Sequence, residues 1–169
     1  GFENICCTNQ SGIARGVLDE PTLTRIHERL QQLLLDAGAR LDAIYYCPYL
    51  DSDEAVVTEY RQDSDLRKPK PGMLIKASLE RNIDLAASWS IGDSLRDAQA
   101  GRAAGCRTIL LRTAGDASAA DAKNDAVDFV ADSIEQAVEI VLKHTRSARP
   151  PATMPTSSGP AEIATTLQE

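Results

Sequence analysis

Apolar residues along the chain alternate between short continuous runs and stripes spaced three and four apart. The run Phe2 to Thr8 stops at Asn9-Gln10-Ser11-Gly12 and predicts a buried strand running into a loop. From Pro21 to Ala37, Leu23, Ile26, Leu30, Leu33 and Leu34 recur at helical steps. Pro21 suits a first helical turn and Gly38 a stop. Ala43 to Cys47 predicts a second strand, and Tyr49 to Arg67, polar and without a clean period, a long loop. A helix opens at Pro71 and carries Met73, Leu74 and Ala77. Ala86 to Ile91 predicts a strand, Asp93 to Ala104 a small-residue helix closed by Gly105, and Thr108 to Leu111 and Val127 to Ala131 two more strands. Ser133 with Gln136 forms a capping-box pattern before a last helix bearing Ile134, Ala137, Val138, Val141 and Leu142.

Strands alternating with helices imply right-handed crossovers and a parallel sheet, so the predicted class is α/β. Residues 1–144 are expected to form the folded core. Residues 145–169 hold four of the eight prolines among Ser, Thr and Ala, a composition expected to give a disordered tail. A core strand within the first few residues, with no initiating Met, leads to the expectation that a segment precedes residue 1.

Composition narrows the function classes. The chain has 169 residues, 43% apolar and 25% charged, which is globular. Its 18 cations against 25 acids give a net charge of −7, which argues against general nucleic-acid binding. No apolar run is long enough for a transmembrane helix, and no secretory leader is read at the start, so a cytoplasmic location and no membrane partner are expected. Cys6, Cys7, Cys47 and Cys106 form no C-x-x-C pair and read as small thiols in a reducing compartment. His27 and His144 fall among charged helical neighbours, where a surface role is the default.

Three polar clusters sit where strands end or helices begin, the ligand-binding side of open α/β sheets. Thr8-Asn9-Gln10-Ser11-Gly12 offers a hydroxyl and main-chain N–H groups to a phosphate oxygen, and equally fits an ordinary polar turn. Arg67-Lys68-Pro69-Lys70-Pro71-Gly72 presents cations on a stiff backbone before a helix, and equally fits a solvated patch. In Ile91-Gly92-Asp93-Ser94-Leu95-Arg96-Asp97, an apolar strand delivers Asp93 at its tip with Asp97 four residues on. The pair suits Mg²⁺, but taken singly a helix N-cap with a surface charge is the preferred reading. Taken together, a hydroxyl, a lysine and an acidic strand tip are the parts phosphoryl transfer requires: hydrogen bonds, positive charge and a metal ligand.

The strings TNQSGIARG (Thr8–Gly16), YYCP (Tyr45–Pro48), RKPKPGML (Arg67–Leu74) and GDSLRDAQAGRAAG (Gly92–Gly105) resemble the haloacid dehalogenase (HAD) superfamily of phosphatases. The likeness is to its D-glycero-D-manno-heptose 1,7-bisphosphate 7-phosphatases, near the histidinol phosphatases, and it runs over about residues 2–143. The resemblance implies a Rossmann-like three-layer parallel sheet and Mg²⁺-dependent hydrolysis of a small phosphorylated metabolite. It assigns Thr8 and Lys68 to the transferring phosphoryl group, Asn9, Gln10, Ser11, Arg67 and Ser94 to the substrate, Asp93 to Mg²⁺, and Asp97 to a supporting role. A monomer is expected.

The sequence departs from the family twice. The family's nucleophile and acid/base lie in an Asp-x-Asp-Gly-Thr motif upstream of the residue matching Thr8, and these 169 residues do not contain it. Asp51-Ser52-Asp53 and Asp63-Ser64-Asp65 follow no apolar strand and read as loop acids. The resemblance places the strand that bears the motif at the sheet centre, between the strand ending at Thr8 and the strand ending at Ile91. Its loss leaves two inner edges unpaired, and the chain alone is expected to be inactive. Second, where many relatives bind zinc, Cys47 remains but Tyr49, Ser64 and Leu66 replace the other ligands, so no structural zinc is expected. The rival readings are a catalytically dead phosphate-binding or interaction remnant, a histidinol-phosphate phosphatase and a receiver domain. The last lacks the acidic pair at its first strand tip.

Overall fold

The computed structural model describes residues 2–112 and 121–147. In chain order it holds β1 (Ile5–Asn9), α1 (Glu20–Asp36), β2 (Ala43–Cys47), α2 (Gly72–Arg81), β3 (Trp89–Gly92), α3 (Leu95–Ala103), β4 (Arg107–Leu111), β5 (Phe129–Ala131) and α4 (Ile134–Ser147), with one-turn 3-10 helices at Thr58–Tyr60 and Asp121–Lys123. The α/β alternation read from the sequence is present, and every strand pair is parallel. Helix α4 runs three residues past the boundary expected at 144. The rest of the expected tail, 148–169, lies outside the described residues.

Local chemistry sets the element ends. Asp19 Oδ1 accepts from Thr22 N at 2.8 Å and starts α1, and Gly38 at φ +74° follows its end. Strand β3 starts at Trp89 rather than Ala86, because Asp84 Oδ1 accepts from Ala86 N and Ala87 N and holds that stretch in a turn. At α4, Gln136 N donates to Ser133 Oγ as the capping pattern predicts. The Gln136 side chain, however, accepts from Asp132 N.

The main core surrounds β4. Thr108, Ile109 and Leu110 are fully buried. Ala137 and Val141 of α4 join Ile109 and Ala131, with Trp89, Ile91 and Phe129 packed around them. His144, expected at the surface, packs its ring 4.6 Å from Phe129 and 6.0 Å from Trp89. Helix α3 lies close against β3 because Gly101 has no side chain; a Cβ there would stand 2.4 Å from Ser90 Cβ. The α1 stripe is less covered than its periodicity suggests. Leu23 is buried, but Ile26 and Leu33 are each 50% exposed.

The sheet is split. Strands β1 and β2 form one pair, and β3-β4-β5 a second sheet. Gln10 N donates to Cys47 O on the β2 side, and Arg107 N donates to Ser88 O on the β4 side. By ladder alternation the main-chain groups of Ile5 and Cys7, and of Trp89 and Ile91, point to the opposite edges. These four residues line one cavity of about 590 Å³, so the two free edges face a common slot. The structure thus has a gap between the β1 and β3 edges.

Candidate functional site

A polar cavity of about 440 Å³ opens at the carboxyl ends of β1 and β3, lined by Thr8, Asn9, Lys68, Asp93, Ser94, Arg96 and Asp97. Residues from all three sequence clusters therefore converge, although Thr8 and Asp93 belong to different sheets. Lys68 and Asp97 line both this cavity and the slot, so they form the wall between them.

Each lining group is held by identifiable contacts. Asn9 clamps the Lys68 main chain at both ends: its Nδ2 donates to Lys68 O at 3.0 Å, and its Oδ1 accepts from Lys68 N at 3.1 Å. That pairing joins β1 to the loop before α2 across 59 residues. Lys68 Nζ then donates to Cys7 O at 2.6 Å and ion-pairs with Asp97 Oδ1 at 2.6 Å. Burial pushes the nearby Cys7 thiol up to about 11, against the opposing effect of Lys68, so it stays protonated and is no nucleophile at neutral pH. Gln10 Nε2 donates to Thr8 Oγ1 at 3.1 Å, which leaves the Thr8 O–H for an anion.

The two acids of the third cluster divide their work differently from a cap-and-surface-charge reading. Asp97 is the buried one. Its Oδ1 is taken by Lys68, and its Oδ2 accepts from Ser94 N at 3.0 Å at the start of α3. Gly92 makes room for it, since a Cβ there would lie 2.3 Å from Asp97 Cβ. Asp93 is exposed at the β3 tip and makes no hydrogen bond or ion pair among the described residues. A free carboxylate suits Mg²⁺, which takes few protein oxygens and keeps water. Asp97, with both oxygens engaged, serves to orient Lys68. No cluster of three or more metal-ligating side chains occurs among the described residues, so Asp93 alone would hold the ion weakly.

Other candidates fall outside this cavity. Gln10 supports Thr8 without lining it, and Ser11 O accepts from Arg15 N in the following turn. Arg67 Nη1 donates to Tyr49 O at 3.0 Å and ties down the long loop. That loop is further held by the Tyr49–Tyr60 ring contact and by Arg61 Nε donating to Ala55 O. Asp63 and Asp65 pair with Lys70, and neither Asp-x-Asp string lines the cavity. Arg96 also lines the cavity, although no site role follows for it from the sequence clusters. Its signal was a cation three residues after the strand-tip acid, on the first helical turn facing the same opening.

Comparison with known proteins agrees with this geometry. Residues 65–137 match the HAD-hydrolase-like family model. The chain is 45% identical over 114 residues to the D-glycero-β-D-manno-heptose-1,7-bisphosphate 7-phosphatase of Photorhabdus laumondii, covering 67% of this chain and 60% of that protein. It is 40% identical over 149 residues to the enzyme of the same name from Escherichia coli K12, covering 88% of this chain and 76% of that protein. The crystal structure of D,D-heptose 1,7-bisphosphate phosphatase from B. bronchiseptica, complexed with magnesium and phosphate, superposes with a TM-score of 0.67 at 31% identity, over 84% of this chain and 75% of that one. With the fold, the converging cavity and these likenesses in agreement, the chain belongs to the family of the D-glycero-β-D-manno-heptose-1,7-bisphosphate 7-phosphatases within the HAD-like hydrolases.

Proposed function

We propose that this chain is the phosphate-gripping part of a Mg²⁺-dependent phosphatase that removes the 7-phosphate from D-glycero-β-D-manno-heptose 1,7-bisphosphate. The observation that carries the reading is the meeting of Thr8, Lys68 and Asp93 in one cavity. The Thr8 hydroxyl donates to a phosphoryl oxygen, and Lys68, oriented by Asp97, offsets the charge that spreads over those oxygens as the bond to the sugar breaks. Asp93 would hold Mg²⁺, which supplies further neutralisation of the same charge.

The nucleophile is a carboxylate from outside the described residues. Asp97 has no free oxygen, Asp93 is the metal ligand, and the loop acids lie elsewhere. An extended strand seated in the slot between β1 and β3 reaches the cavity at the wall formed by Lys68 and Asp97. A carboxylate at its tip would attack phosphorus, forming an acyl phosphate, while the second acid of the same Asp-x-Asp pair would give its proton to the departing sugar oxygen and later recover one from the attacking water. Water then releases phosphate and restores the carboxylate.

The test is phosphate release from this bisphosphate with Mg²⁺. The 169-residue chain is assayed alone and then with an apolar segment ending in Asp-x-Asp-Gly-Thr supplied in trans. Turnover only in the second case, abolished by Lys68→Ala, supports the reading. Robust turnover by the chain alone that survives mutation of both Asp-x-Asp strings overturns it.

A further inference from the structure

The cations around the cavity are unequally committed. Lys68 is deep, its side chain 15% exposed, and its Nζ is shared between Cys7 O and Asp97. Arg67 gives its Nη1 to Tyr49 O and does not line the cavity. Arg96 is exposed, lines the cavity from the first turn of α3, and uses only Nε, which donates to Ser94 Oγ at 3.1 Å. That bond engages one of the five guanidinium N–H groups. Both Nη nitrogens remain free among the described residues, and a free guanidinium edge suits two oxygens of one phosphate.

The volume of about 440 Å³ exceeds what one phosphate needs and falls within the range of cavities that hold small molecules. It offers one partly buried cation and one rim cation. We propose that Arg96 is a specificity-determining residue that grips the second, non-reacting phosphate of a bisphosphorylated sugar while the reacting phosphate sits beside Lys68 and Thr8. This rests on the phosphatase reading above and adds to it the residue that distinguishes a bisphosphate from a monophosphate. Lys68 cannot serve both ends, because its ammonium is pinned within hydrogen-bond distance of β1 and of Asp97.

Calorimetric titration of the 169-residue chain with Mg²⁺ tests this with three probes: inorganic phosphate, the heptose 7-monophosphate and the heptose 1,7-bisphosphate. In Arg96→Ala, bisphosphate affinity should fall about tenfold or more. Affinity for the other two should stay unchanged, and Arg96→Lys should restore part of the loss. An equal fall for all three probes, or no change for any, overturns the assignment of Arg96. Wild-type chain that binds none of the three overturns the phosphate-site reading itself and this inference with it. Thermal melts of both variants check that the exposed substitution leaves the fold intact.

Discussion

Asp97 Oδ1 stands 2.6 Å from Lys68 Nζ, with the two side chains 11% and 15% exposed. The pair therefore joins the loop before α2 to the first turn of α3 in a partly desolvated setting, where loss of one partner strands the other charge. Asp97→Asn should lower unfolding stability by about 2 kcal/mol, less than for a fully buried pair because both groups keep some water. Urea unfolding measures it. An unchanged free energy would show that the pair contributes nothing.

Ligand binding should separate the roles of Asp93 and Lys68. Asp93→Asn should weaken Mg²⁺ binding about tenfold or more, and Lys68→Ala should weaken inorganic phosphate by a similar factor. Chelation of the metal should lower phosphate affinity in the wild-type chain and leave Asp93→Asn unmoved. Calorimetry reads each quantity. Equal sensitivity of Asp93→Asn to chelation would remove Asp93 from the metal.

Two glycines test close packing. A Cβ at Gly92 would lie 2.3 Å from Asp97 Cβ, and one at Gly101 would lie 2.4 Å from Ser90 Cβ. Either alanine should cost about 2 kcal/mol of stability through overpacking. Only Gly92→Ala should also reduce phosphate affinity, because it displaces the acid that orients Lys68. Equal binding by the two variants would uncouple Asp97 from the site.

Acid sensitivity should trace to Asp128. Burial pushes its carboxyl up, but hydrogen bonds from Thr108 N at 2.9 Å and from the Arg102 guanidinium more than offset this and hold it below the usual range. A lowered folded value means the contribution is complete above the unfolded carboxylate value, about pH 4, and is lost as pH falls through the folded one. Asp128→Ala should therefore cost about 1–3 kcal/mol at neutral pH. It should also flatten the decline of stability below about pH 4. A decline as steep as in the wild-type chain would acquit Asp128.

Strand and helix order was legible because the apolar periods are strong. Ala43–Cys47 coincides with β2, and Pro21–Ala37 covers all but the first residue of α1. Element starts were less so: Asp84, a single side chain, converts Ala86 to Ser88 from strand to turn. Thr8, Lys68 and Asp93 were legible as chemistry from their types and order. The work of Asn9 was not, because its partner lies 59 residues away and only folding brings the two together. The placement of Arg67 and Arg96 was hidden for the same reason. Adjacent to Lys68, Arg67 reads as a substrate contact; in the fold its Nη1 donates to Tyr49 O, and Arg96 is the arginine that lines the cavity.

The parted β1 and β3 edges also bear on how the chain behaves in bulk. Unsatisfied inner edges template pairing with any extended neighbour, including another copy, so the isolated chain should be colloidally fragile as its concentration rises. Light scattering that subsides when a filler strand is added would then report occupancy of the slot without any chemistry at all.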